Sequence, residues 1–171
     1  VNANGNELVL SSLPLILRAT ESKIKISASN KSFELLSEGK LNNIETKFKI
    51  DKLQNTNPSV KINLIESKEL AKYISNITGQ KIEGSASGLI EINDLDFSNF
   101  ISKVVIDLDN TYIDLPQINF SKELGVKGLV KGDFIFESGL LSKISNFQGE
   151  VGKASFDGKL ELKNSFFKEA K

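Results

Sequence analysis

Alternation of apolar and polar residues is the feature that most limits what this 171-residue chain can become. In KIKISAS, Ile24, Ile26 and Ala28 share one parity against lysines and serines. In ETKFKID, Phe48 and Ile50 alternate with lysines, and in SVKINLI, Val60, Ile62 and Leu64 alternate with Lys61 and Asn63. GLIEI carries Ile90 and Ile92, and VVIDLDN sets Val104, Ile106 and Leu108 against Asp107 and Asp109. LGVKGLVKGDFIFES keeps Leu124, Val126, Val130, Phe134 and Phe136 in one parity. KASFDGKLELKN does the same with Ala154, Phe156, Leu160 and Leu162. A period of two is the signature of strands. Strands polar on one face belong to an antiparallel sheet wetted on one side, not to a parallel sheet buried on both. The fold class is therefore mainly β, and mostly antiparallel.

One segment departs from this period. SKELAKYISNITGQ spaces Leu70, Ile74 and Ile77 as on a helix, with Ser67 as N-cap, Glu69 in the first turn and Gly79 after the last. It predicts a short amphipathic helix over 67–79, a plug or lid on a sheet edge. Turn signals recur in SEGK, NTNP, ESG and FQGEVGK. Glycines recur inside GSASGLIEI, GVKGLVKGDFIF and GKASFDGKLEL, where they predict bends or close approaches that curve the sheet. The first 66 residues read as a β-rich segment, part of the same repeating sheet.

Composition removes whole classes of function. The chain has no His, Cys, Trp or Met, so serine–histidine and cysteine–histidine mechanisms are excluded, as are the usual zinc and iron ligands. Lys+Arg and Asp+Glu balance at 22 each, and Arg18 is the single arginine, which argues against nucleic acid as a partner. Asp107 and Asp109 stand at i and i+2, but the further oxygen ligands of a calcium loop do not follow, so they read as a solvated face. Sugar hydrolysis needs an apposed carboxylate pair, and no spacing suggests one. The expectation is a protein with no enzyme activity and no cofactor. No apolar run approaches the roughly 18 residues of a membrane-spanning helix, and a chain starting at Val1 reads as a processed chain or a fragment.

What remains is the apolar face itself. Two such faces can close into a β-sandwich, or one can line an open groove for an apolar ligand, and alternation does not separate these outcomes. The residues from Asp107 to Gly139 supply a further pointer. Asp107-Leu108, Leu115-Pro116, Phe120, Lys122 and Gly125, followed by glycine-spaced strands, resemble the AsmA-like region of the YhdP, TamB and AsmA group of bacterial envelope proteins. The likeness extends over roughly residues 79–165, and Phe120 stands where members of that family often carry tryptophan.

The resemblance implies a curved sheet forming an elongated, taco-like groove, with residues 80–171 as one groove segment. It implies a Gram-negative periplasmic protein, tethered to the inner membrane by a segment outside this chain. Its groove would carry phospholipid acyl chains towards the outer membrane, with other envelope proteins at the ends of the bridge. The lining would then comprise Ile90, Ile92, Val104, Ile106, Leu108, Val126, Val130, Phe134, Phe136, Phe156, Leu160 and Leu162. About eleven strands at roughly 4.8 Å spacing would make about 50 Å of groove. The alternatives are a factor for outer-membrane protein assembly, using the sheet edge, and a non-catalytic β-sandwich envelope or adhesin module.

Overall fold

The alternating segments pair largely in chain order. A computed structural model describes residues 2–10, 17–96 and 98–161. Strands β1 (Asn2–Leu10), β2 (Leu17–Ala28), β3 (Ser32–Leu41), β4 (Ile44–Leu53) and β5 (Ser59–Ser67) form a meander. Helix α1 (Lys68–Thr78) and β6 (Lys81–Gly84) follow, then β7 (Ala86–Ile92) and β8 (Phe100–Asp107). After β9 (Thr111–Leu115) and β10 (Phe120–Lys122) come β11 (Gly128–Glu137), β12 (Leu140–Val151) and β13 (Ala154–Glu161).

Ten of these strands build one sheet in the order β1-β2-β3-β4-β5-β7-β8-β11-β12-β13, and β10-β9-β6 form a small second one. Every ladder is antiparallel. The large sheet is curved and not closed into a barrel, a groove-like form. Segments from both halves of the chain belong to it.

Two devices bend the sheet. Register shifts interrupt the β2–β3, β5–β7, β11–β12 and β12–β13 ladders, and such bulges increase local twist. Glycines on one face admit side chains from the next strand. The ring of Phe156 lies over Gly149, where a Cβ would otherwise stand. Gly149 belongs to FQGEVGK, which reads as a turn in the sequence but places this glycine inside β12; the close approach expected at glycines of GSASGLIEI is met at Gly88, where a Cβ would lie 2.9 Å from Ile106 Cδ1.

Helix α1 has the anticipated ends. Ser67 Oγ accepts from Leu70 N at 3.2 Å, and Gly79 takes the left-handed conformation at φ 66°. The helix packs against β5, β6 and β7, burying Leu70 and Ala71 beside Ala86. It sits where β5 ends and β7 begins, two central strands, and not on an edge strand of the large sheet.

The small sheet was not expected from the sequence. Pro116 opens a 3-10 turn (Pro116–Ile118) between β9 and β10, which is the strand break that a residue without an N–H imposes. Behind this turn, Phe120 and Leu115 are paired in the ladder and packed partly buried against the main cluster.

Candidate functional site

Cross-strand partners in an antiparallel ladder project to the same face, so register defines one face across the molecule. Ile26 faces Leu35, which faces Ile50, then Val60, then Ile92. A second row runs Phe48, Ile62, Ile90, Val104 and Gly132. A third runs Leu64, Gly88, Ile106, Val130, Gly149 and Phe156. We call this the inner face.

Part of the inner face is sealed. Val60, Ile62, Leu64, Ile92, Phe100 and Phe136 are buried, and the rings of Phe100 and Phe136 stack at 4.4 Å. Leu95, whose N donates to Pro58 O at 2.8 Å, is buried in the same cluster. Between and beside these residues, Ile24, Leu35, Phe48, Ile90, Val104, Ile106, Val130, Phe134, Ile144 and Phe147 remain half-buried, and Phe156 is 40 % exposed.

The outer face has the opposite character. Lys47 pairs with Glu38 at 2.9 Å, Lys49 with Glu34 at 3.1 Å, and Lys61 with Glu91 at 2.8 Å. Lys127 meets Glu150 at 2.5 Å, which holds the Glu150 carboxyl below its ordinary range. An open hollow of about 240 Å³ lies beside this pair, bordered also by Lys131, Gln148 and Ser155. These exposed pairs contribute little stability each, but they keep this face wet.

The residues expected to line a groove divide into four groups. Ile90, Val104, Ile106, Val130, Phe134 and Phe156 lie on the open part of the inner face. Ile92 and Phe136 lie on the same face but are buried. Leu108 and Val126 lie outside the strands: β8 ends at Asp107, and Leu108 is buried in the turn to Thr111. Val126 occupies the turn before β11, exposed, because Gly125 at φ 78° interrupts the extended backbone. Leu160 is paired with Ile144, and Leu162 lies outside the described residues.

The sequence-based lining starts at Ile90, whereas the inner face begins at β2. The signal was already in the same alternation, at Ile24, Phe48 and Ile62. What it missed is β3, where Ser37 and Gly39 take inner positions and Leu36 an outer one, so the strand does not read as alternating.

The residues of the Asp107–Gly125 motif assemble around the small sheet. Asp109 is not on a solvated strand face: its Oδ1 accepts from Gly128 N at 2.7 Å, tying the turn to β11. Asp107 Oδ1 accepts from Asp109 N at 2.8 Å, and Gly125 N donates to Asp109 O. Lys122 is 2 % exposed, and its Nζ donates to the carbonyls of Asp109, Thr111 and Glu123 at 3.1, 2.7 and 3.2 Å. Burial pushes its pKa below the ordinary lysine value, opposed by the Asp109 and Asp107 carboxylates. Nearby, Glu66 Oε1 accepts from Ser85 and Asn110, which lowers the pKa of its carboxyl.

Among the described residues, no group of three or more acidic side chains is placed to hold a metal ion, and no helix is long and apolar enough to cross a membrane. What the arrangement offers chemically is an extended apolar surface on one face of the sheet. No family model matches the chain, and no curated protein or solved structure matches it.

Proposed function

We propose that this chain is a segment of a bridge-like periplasmic protein whose inner face carries phospholipid acyl chains between the inner and outer membranes, supporting outer-membrane integrity. The observation that carries the reading is an apolar face shared by successive strands from β2 to β13, half-buried over much of its area, on a sheet that does not close. Removing acyl chains from water is worth about 0.8 kcal/mol per methylene, so a bare lipid crossing water costs on the order of 20 kcal/mol. An apolar track removes that barrier without a catalytic group. Nine steps between ten strands, at about 4.8 Å each, give a track of roughly 43 Å. On this reading the track continues in neighbouring segments at the edges, and the membrane tether lies outside this chain. The reading agrees with the resemblance to the AsmA-like family carried by Asp107-Leu108, Leu115-Pro116, Phe120, Lys122 and Gly125.

The test is purification of the protein from a bacterial envelope, followed by mass spectrometry of bound lipid. Phospholipid near one molecule per chain is expected, with loss on Phe134→Glu. Phe156→Glu, at a more exposed inner position, serves if Phe134→Glu does not fold. A folded wild-type chain free of lipid would sink the proposal.

A second reading is favoured by the edges. Among the described residues, β1 and β13 each pair on one side only. Such an edge accepts a partner strand by main-chain hydrogen bonds, as a factor for outer-membrane protein assembly requires. Capture of an unfolded barrel protein without lipid would support it.

A further inference from the structure

Charge is nearly absent from the inner face. At the inner positions of β3, β4, β7, β8 and β11 the single charged side chain is Lys52, near the end of β4. Register sets Lys52 across from Phe33, and Phe33 across from Ala28. Lys52 is exposed and Phe33 is 36 % exposed, so this corner of the face opens to solvent. Two residues back along β4, about 7 Å away, Ile50 begins the apolar surface. With Leu35 across from it and Phe48 beyond, it is half-buried and reachable from the corner.

A surface lysine is ordinarily answered by a nearby carboxylate, and here the neighbouring acids are taken. Glu34 and Asp51 follow Phe33 and precede Lys52 in the chain, and both bond Lys49 on the outer face at 3.1 Å. The Lys52 side chain makes no ion pair or hydrogen bond among the described residues. Lys31 is in the same state. It stands exposed in the turn between β2 and β3, where its carbonyl accepts from Gln54 N at 2.7 Å, one step beyond the Ser32–Leu53 pair. Its ammonium also lacks a partner among the described residues. Two uncompensated positive charges therefore stand at the end of an apolar surface. A bare anion would use only the charges, and a neutral hydrocarbon only the surface. An anionic head joined to apolar chains uses both.

We infer that this corner is a head-group subsite of the apolar track, in which the Lys52 ammonium, assisted by Lys31, binds the phosphodiester of a glycerophospholipid whose acyl chains lie on Ile50, Leu35 and Phe48. The inference rests on the lipid-carrying reading. It gives the lipid an orientation, with the head group at the β2–β3 turn and the chains toward the middle of the strands.

The experiment measures binding of the full chain, by equilibrium dialysis, to dihexanoylphosphatidylglycerol, dihexanoylglycerol and dodecanoate. Lys52→Gln is expected to weaken dihexanoylphosphatidylglycerol about fivefold, the upper range for an exposed ion pair, and to leave the uncharged dihexanoylglycerol unchanged. Lys52→Arg should retain wild-type affinity. Added salt should weaken the phospholipid and not the diacylglycerol in the wild type, and less so in Lys52→Gln. Lys25→Gln, at an outer-face position, should change neither. Equal weakening of dihexanoylglycerol in Lys52→Gln would show that the lysine acts through its apolar stem, and overturns the inference. So does an equal effect of Lys25→Gln, which would mean general surface charge, or weakening confined to dodecanoate, which would assign the corner to a carboxylate. Wild-type binding of the phospholipid that is insensitive to Lys52→Gln overturns the subsite alone. No binding of any of the three overturns the lipid track with it.

Discussion

Lys122 shows what a single residue does in this fold. A lysine 2 % exposed pays for its desolvation with three carbonyl partners, drawn from the turn after β8, from β9 and from the residue after β10. Its stem passes over Gly128, where an added Cβ would lie 2.8 Å from Lys122 Cε and 2.9 Å from Leu108 Cβ. The side chain therefore ties the small sheet to the start of β11. Lys122→Met keeps much of the volume but leaves three carbonyls without their donor. The expected loss is about 3 kcal/mol, read as a lower urea midpoint at an unchanged slope. A loss under about 0.5 kcal/mol would mean that water replaces the ammonium readily.

At the scale of elements, local chemistry was legible wherever it acts within a few residues. The helix ends are local, and Ser67 and Gly79 perform the capping that their types suggest. Ser67→Ala should cost about 1 kcal/mol, seen in the thermal midpoint and in reduced helical signal. A change in neither would show that packing of Leu70 and Ala71 alone holds the helix. Long alternating strands were legible for the same reason, since each residue's face follows from its neighbour's. The reading erred where parity was carried through a turn, as at Leu108 and Val126, because a backbone reversal between Asp107 and Gly128 is invisible to a count of twos. Strands on either side of Pro116 follow from the sequence, but not that β6, β9 and β10, at three to five residues each, leave the large sheet to form a small one of their own. β3 escaped because Ser37 and Gly39 occupy inner positions normally held by apolar residues.

At the scale of the molecule, protection should follow position in the sheet. The ladders joining β5, β7, β8 and β11 lie among the buried residues Val60, Ile62, Ile92 and Phe100, whereas β1 and β13 each lack a second neighbour among the described residues. Amide exchange is therefore expected to be slowest in β5, β7 and β8 and fastest at the two edges. Uniform protection across all ten strands would indicate that the edges are covered in solution, as continuation into a neighbouring segment or copy would produce. Sequential pairing also keeps most contacts between adjacent segments, which makes closure of the large sheet a series of local steps.

By itself, the sequence determined which residues share a face, where the helix begins and ends, and that no histidine or cysteine chemistry is available. These follow from the two-residue period of a strand, from capping groups that act over three or four residues, and from composition. Only the tertiary structure decided that ten strands share one curved, open sheet, that Lys122 is buried among carbonyls, and that the Ser37 hydroxyl is buried without a partner among the described residues. Alternation assigns a side chain to a face but does not name the strand beside it. Neighbours, closure and burial come from packing between segments distant in the chain, and no local pattern records them.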